Sequence, residues 1–195
     1  SANITITVLG ENDNPTAQND VGVINEGSTL TVQNSSNANV SGSFDANGEN
    51  SGDVIHTSSS SHKDSDPDTS NTLSISHIKK SGGSNSTVSS GSSYNSSGTS
   101  VTGTYGTLTI GADGSYKYVA DQDAADSIAA SEQQDDIFVY TITDGTEDVS
   151  ANITITVLGE NDNPTAQNDV GVINEGSTLT VQNSSNANVS GSFDA

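Results

Sequence analysis

Apolar and polar residues alternate with period two along much of this chain. Leu30 and Val32, Leu73 and Ile75, Leu108 and Ile110, Tyr116 and Tyr118, and Phe138 with Tyr140 and Ile142 share one face of successive short runs, and Thr and Ser fill much of the other. Side chains of a strand point alternately to its two faces, so each run predicts a strand with one side in a core and one in water. Strands are predicted over 21–24, 28–33, 72–78, 106–110, 115–119, 136–143 and 150–158. Ala112-Asp113-Gly114 predicts a hairpin turn, because Asp-Gly readily supplies φ > 0. One stretch departs from the pattern: within 121–133, Ala124, Ala125, Ile128 and Ala129 follow i, i+3, i+4 spacing behind Asp121, which predicts a turn or two of helix. Seven or more short strands with frequent turns predict an all-β, antiparallel β-sandwich of immunoglobulin type with this one short helix. The Ser/Gly run 81–103 leaves two readings open, a flexible loop or a plain solvated hairpin, with Val88, Tyr94 and Val101 as thin anchors.

Self-similarity divides the chain. Residues 1–46 return letter for letter as residues 150–195, an offset of 149. That period is too long for the 20–50-residue unit of a solenoid and fits a string of separately folded domains. The alternation of Ile153, Ile155 and Val157 stops at Leu158-Gly159, and Glu160-Asn161-Asp162-Asn163-Pro164 follows, as Glu11-Asn12-Asp13-Asn14-Pro15 does in the first copy. Proline cannot donate to a sheet ladder and holds the residue before it extended, so these words predict a strand end and an extended linker. The complete repeat is placed at 15–163, with 1–14 as the last strand and linker of a preceding copy and 164–195 as the start of the next.

Composition narrows the chemistry. Asp and Glu number 25 against 4 Lys and no Arg, a net charge of −21, and hydrophobic residues make up only 29%. A polyanion without Arg is repelled by phosphate backbones, which argues against nucleic acid as a partner. With no Cys, thiolate metal sites and disulfides are excluded, and no apolar run approaches the ~18 residues of a membrane span, so no direct membrane insertion is expected. Residues 15–163 hold 20 acids against the 4 Lys, so neighbouring copies would repel unless cations bind. Low hydrophobicity with high charge is also the signature of disorder, so order must come from more than a large core.

The acids are clustered. Asp64, Asp66 and Asp68 stand at i, i+2, i+4 ahead of the strand at 72–78, and Glu160, Asn161, Asp162 and Asn163 gather oxygen donors in the linker, as Glu11, Asn12, Asp13 and Asn14 do in its copy. Asp20 and Glu26 flank the first strand and return as Asp169 and Glu175, while Asp144 sits in the turn before the last strand. Calcium takes 6–8 hard oxygens in flexible geometry, and alternating acids on irregular loops supply them; magnesium keeps its waters and prefers phosphate co-ligands. The plainer reading is of solvated turn residues. The charge excess weighs against that reading for the Asp64–Asp68 run and the linkers, whereas Asp45, Glu49 and Asp53, like Asp121, Asp123 and Asp126, fit it better.

From Gly103 to Pro164 the words Gly-Thr-Tyr-Gly-Thr-Leu-Thr-Ile, Ala-Asp-Gly-Ser-Tyr-Lys-Tyr, Asp-Asp-Ile-Phe-Val-Tyr-Thr-Ile-Thr-Asp-Gly and Asn-Asp-Asn-Pro closely resemble the VCBS-type repeat. That repeat builds long arrays in giant bacterial surface proteins, including RTX-type adhesins exported by type I secretion. The front half, with Ile24-Asn25-Glu26-Gly27 and Asp64-Ser65-Asp66-Pro67-Asp68, resembles the same family and cadherin repeats. Cadherins hold calcium between domains through an Asp-x-Asn-Asp-Asn linker, a first-strand Glu, an Asp-x-Asp and a late Asp-Gly. The resemblance implies these roles for Glu11–Asn14 and Glu160–Asn163, Glu26, Asp64 with Asp66, and Asp144. Gly10 and Gly159 stand where the cadherin linker begins with Asp, and the cadherin Asp-Arg-Glu motif is absent.

Nothing in the chain points to catalysis. There is no Gly-x-Ser-x-Gly, His-Glu-x-x-His or Gly-x-Gly-x-x-Gly. His56, His62 and His77 read as surface or half-buried residues, and the absence of Trp removes the usual aromatic platform of a glycosidase cleft. The expectation is a calcium-stabilised spacer, or extender, of a bacterial cell-surface adhesin. Its partners would be adjacent copies of itself, it would be monomeric as an isolated module, and it would project a distal binding domain for adhesion and biofilm formation. The rivals are a glycan-binding adhesion domain and a homophilic contact module.

Overall fold

The computed structural model describes residues 2–33, 43–44, 53–56 and 62–180. Two compact units are present, Ser1–Asn161 and Asp162–Ala195, so the division falls within the second linker.

The first unit is an all-β sandwich. Ten strands are described: β1 (Asp20–Asn25), β2 (Thr29–Val32), β3 (Ser43–Phe44), β4 (Ser74–Lys80), β5 (Ser86–Thr87), β6 (Thr99–Thr102), β7 (Thr107–Ile110), β8 (Tyr116–Val119), β9 (Gln133–Thr143) and β10 (Asp148–Leu158). One sheet has the order β3-β1-β10-β9-β4-β5 and the other β2-β8-β7-β6. The arrangement is compatible with the immunoglobulin-like class. All seven predicted strands are present. The pairing is antiparallel except between β1 and β10, which run parallel from Asp20 opposite Ile153 to Asn25 opposite Leu158. Parallel neighbours cannot be joined by a tight turn, and here the rest of the repeat makes the connection.

The two inward faces form one core. Leu30, Leu108, Ile110, Tyr118, Phe138, Tyr140, Ile142, Ile153, Ile155 and Val157 are fully buried. Tyr118 of one sheet meets Phe138 of the other edge-on, with ring centroids 6.1 Å apart. Aromatics are only 4% of the chain, and Tyr116, Tyr118, Phe138 and Tyr140 place theirs in this core, where burial returns most.

Two local expectations change, and one open reading closes. Residues 122–131 form successive turns, closed by i→i+3 bonds from Ala125 N to Gln122 O and Ile128 N to Ala125 O, and no helix forms there. Only Ala125 and Ile128 are buried there, too little apolar surface to hold a short helix against its nucleation cost. In β4 the register shifts between Ile75 and His77, which makes Ser76 an extra residue and turns Ile78, rather than His77, into the core. The Ser/Gly run is ordered, in line with the hairpin reading: its first residues, 81–85, turn β4 back antiparallel onto β5. It crosses from β5, paired with β4, to β6, paired with β7, and Val88 is buried on the way. The Asp113-Gly114 turn forms as expected, with Gly114 at φ +87 and Gly114 N donating to Gly111 O at 3.1 Å.

Candidate metal centre

Most of the candidate ligands of the first unit lie toward the two ends of β1. At its upstream end, the incoming chain is pinned to the Asp64–Asp68 loop. Thr16 and Ser65 exchange backbone bonds of 2.8 and 3.0 Å, and the Gln18 amide donates to Asp64 Oδ1 at 2.7 Å. The Asp13 amide donates to Asp68 Oδ2 at 2.8 Å, and the Asp68 amide donates to Asp66 Oδ1 at 2.6 Å. Asn12 donates to Asp144 Oδ2 at 3.0 Å and accepts from Asn71. Thus Asn12, Asp13, Asp64, Asp66, Asp68 and Asp144, apart in sequence by up to 132 residues, meet at one end. An open hollow of about 420 Å³ runs along this loop, with His56, Lys63 and the three loop Asp residues in its wall.

Asp20, Asp53 and Asp64 are all buried. The Tyr140 hydroxyl donates toward Asp64 at 3.1 Å, and Gln18 O also accepts from it. Burial, opposed by the Gln18 amide and Tyr140, pushes the Asp64 carboxyl up to about 7. Burial and then the neighbouring Asp64 push Asp20 well above the usual carboxylate range. Asp53 was expected to be a solvated turn residue. It is instead 1% exposed and accepts from the amides of Ile55 and His56 and, at 3.0 Å, pairs with His56 Nδ1. Asp45 and Glu49 lie outside the described residues. Asp144 differs from the buried acids: the amides of Glu147 and Thr146, with Asn12, hold its exposed carboxyl below the usual range.

At the downstream end, Glu26 grips the outgoing linker. Its amide donates to Leu158 O at 2.9 Å, and its Oε1 accepts from the Glu160 amide at 2.6 Å. Asn25 Nδ2 donates to Glu160 Oε1 at 2.5 Å. Glu11 and Asn14 are exposed in the first unit. In the second unit, Asn163, Asp169 and Glu175 are exposed, although Asp169 and Glu175 are the copies of buried Asp20 and Glu26. Asn161 and Asp162 are both engaged in interactions of their own.

The acids at these two ends are hard oxygen donors, the kind a divalent cation takes. Three buried carboxylate oxygens, Asp20 Oδ2, Glu26 Oε2 and Asp66 Oδ2, have no hydrogen-bond partner. Buried carboxylate oxygens without donors are costly, and a cation is one group that satisfies them. Among the described residues, however, no three acidic or imidazole side chains already stand together as a closed cage.

One acid that the sequence reading left aside has a plain structural role. Asp136 lies on the inward face of β9, in phase with Phe138 and Tyr140, and is 1% exposed. It accepts from the amides of Thr104, Tyr105 and Gly106 and from the Tyr118 hydroxyl, at 2.7 to 3.1 Å. A Cβ on Gly103 would lie 2.2 Å from its carboxylate, so this tight loop needs glycine there. The signal was available: Asp136 continues the alternation that defines the strand.

Comparison with protein-family models and with curated proteins finds no match.

Proposed function

We propose that the 149-residue repeat is a calcium-stabilised spacer, one link of an extended array at a bacterial cell surface. The observation that carries this reading is the set of buried carboxylate oxygens without donors at Asp20, Asp66 and Glu26, at the two ends of β1. The acids divide into an upstream set around Asp64, Asp66, Asp68 and Asp144 and a downstream set around Glu26 and Glu160. In tandem, the linker that leaves one repeat is the linker that enters the next. Bound calcium would supply the positive charge that lets these carboxylates stay ionised side by side. The chain's own part is to aim the oxygens: Glu26 fixes the linker through the Glu160 amide, and Asp68 fixes it through the Asp13 amide. Export by type I secretion and a role in adhesion and biofilm formation follow from the VCBS resemblance.

Calorimetric titration of two complete repeats in tandem tests the reading. Calcium should bind with Kd of order 10⁻⁴–10⁻³ M, as extracellular modules do, and Asp66→Asn and Glu26→Gln should each weaken it about tenfold. Absence of binding at 10 mM calcium would refute it.

A further inference from the structure

We infer that the parallel β1–β10 ladder is the load-bearing clamp of the repeat, the element that resists tension along the array. The inference rests on the spacer reading, since tension matters only to a chain pulled at both ends. The chain reaches β1 at Asp20 and leaves β10 at Leu158, and these strands are hydrogen-bonded neighbours in the middle of one sheet. Because they run parallel, Asp20 and Leu158 lie at opposite ends of the shared ladder. Pulling the two linkers apart therefore slides β1 along β10 and loads all six register pairs together, from Asp20–Ile153 to Asn25–Leu158. An antiparallel pair of terminal strands would instead open like a zip, one bond after another.

Further bonds brace both ends of the ladder. Upstream, the Asn152 amide donates to Asn19 Oδ1 at 2.9 Å, and the Thr16–Ser65 bridge holds the chain ahead of it. Downstream, Glu26 and Asn25 hold Glu160, and the Gly159 amide donates to Glu132 O at 3.0 Å. Sliding must also drag Ile24, Ile153, Ile155 and Val157 out of the core. β10 is held on its other side by eleven register pairs to β9, so the weaker boundary under load is with β1.

Single-molecule pulling in calcium tests the clamp through introduced thiol handles, which the absence of native Cys makes site-specific. Handles at Leu9→Cys and Thr165→Cys pull along the array. Handles at Ser28→Cys and Thr165→Cys load the same ladder from one end only. The clamp predicts a rupture force at least about threefold higher in the first geometry, with release of roughly 450 Å of chain in one event. Equal rupture forces in the two geometries would overturn it. A direction-dependent force with no calcium binding would leave the clamp standing and remove the calcium spacer; calcium binding with direction-independent force would do the reverse.

Discussion

At the scale of single residues, the buried acids make the fold sensitive to pH. A carboxyl raised to about 7, as Asp64 is, binds a proton in the folded state that the unfolded chain has released above about pH 4. Its contribution to stability is therefore lost as pH rises from about 4 to 7. His56, raised by its hydrogen bond to Asp53, acts in the same direction: it adds stability below about pH 6.5 and loses it as pH climbs through its folded value. Asp144, held low, acts only in more acidic solution, where its contribution is lost. The metal-free melting temperature should therefore fall between pH 5 and pH 8, and Asp64→Asn should flatten the slope. Calcium should flatten or reverse it as well, since its ligands must be deprotonated. A metal-free melting curve rising over that range would contradict the assignment. Asp136 works by different physics. Asp136→Ala strands three amides and the Tyr118 hydroxyl in a buried loop, and should cost about 3 kcal/mol in chemical denaturation, with calcium affinity unchanged.

At the scale of elements, the bulge in β4 decides which residues reach the core. Ile78→Ala should therefore cost about 2–5 kcal/mol, visible as a lower denaturant midpoint, whereas His77→Ala should cost little. An unchanged midpoint for Ile78→Ala would mean that the register does not matter here. The same element shows what was legible in the sequence. Strands with strict alternation, such as β7, β8 and the core half of β9, could be read because period two is a local signal. The bulge could not, since one extra residue looks like continued alternation until its partner strand is known. The parallel pairing of β1 with β10 was equally hidden, because it joins residues more than a hundred positions apart. Period 3.6 over 121–133 predicted helix from only two residues that are buried, and turns satisfied them as well. For the candidate centre, spacing identified the Asp64–Asp68 loop and the linkers, but not their grouping. Asp13 meets Asp68, and Glu26 meets Glu160, only through the fold. Asp53 was misread because its burial depends on neighbours far away in sequence.

At the scale of the whole molecule, the central claim is that cations, together with a modest core, make an array of these repeats stiff. With −21 on a chain of 195 residues, self-repulsion opposes the folded state, and cations bound by the linker carboxylates would both offset it and tie the linkers, so metal removal should soften junctions and lower melting together. The most direct measurement is small-angle scattering from three complete repeats in tandem, with 5 mM calcium and again after chelation, alongside a melting curve for each. The account predicts a rod in calcium, roughly 100 Å or more in maximum dimension at about 35 Å for each eleven-residue strand length. After chelation it predicts a flexible chain of compact beads with a lower melting temperature. Identical scattering and identical melting in the two conditions would contradict it.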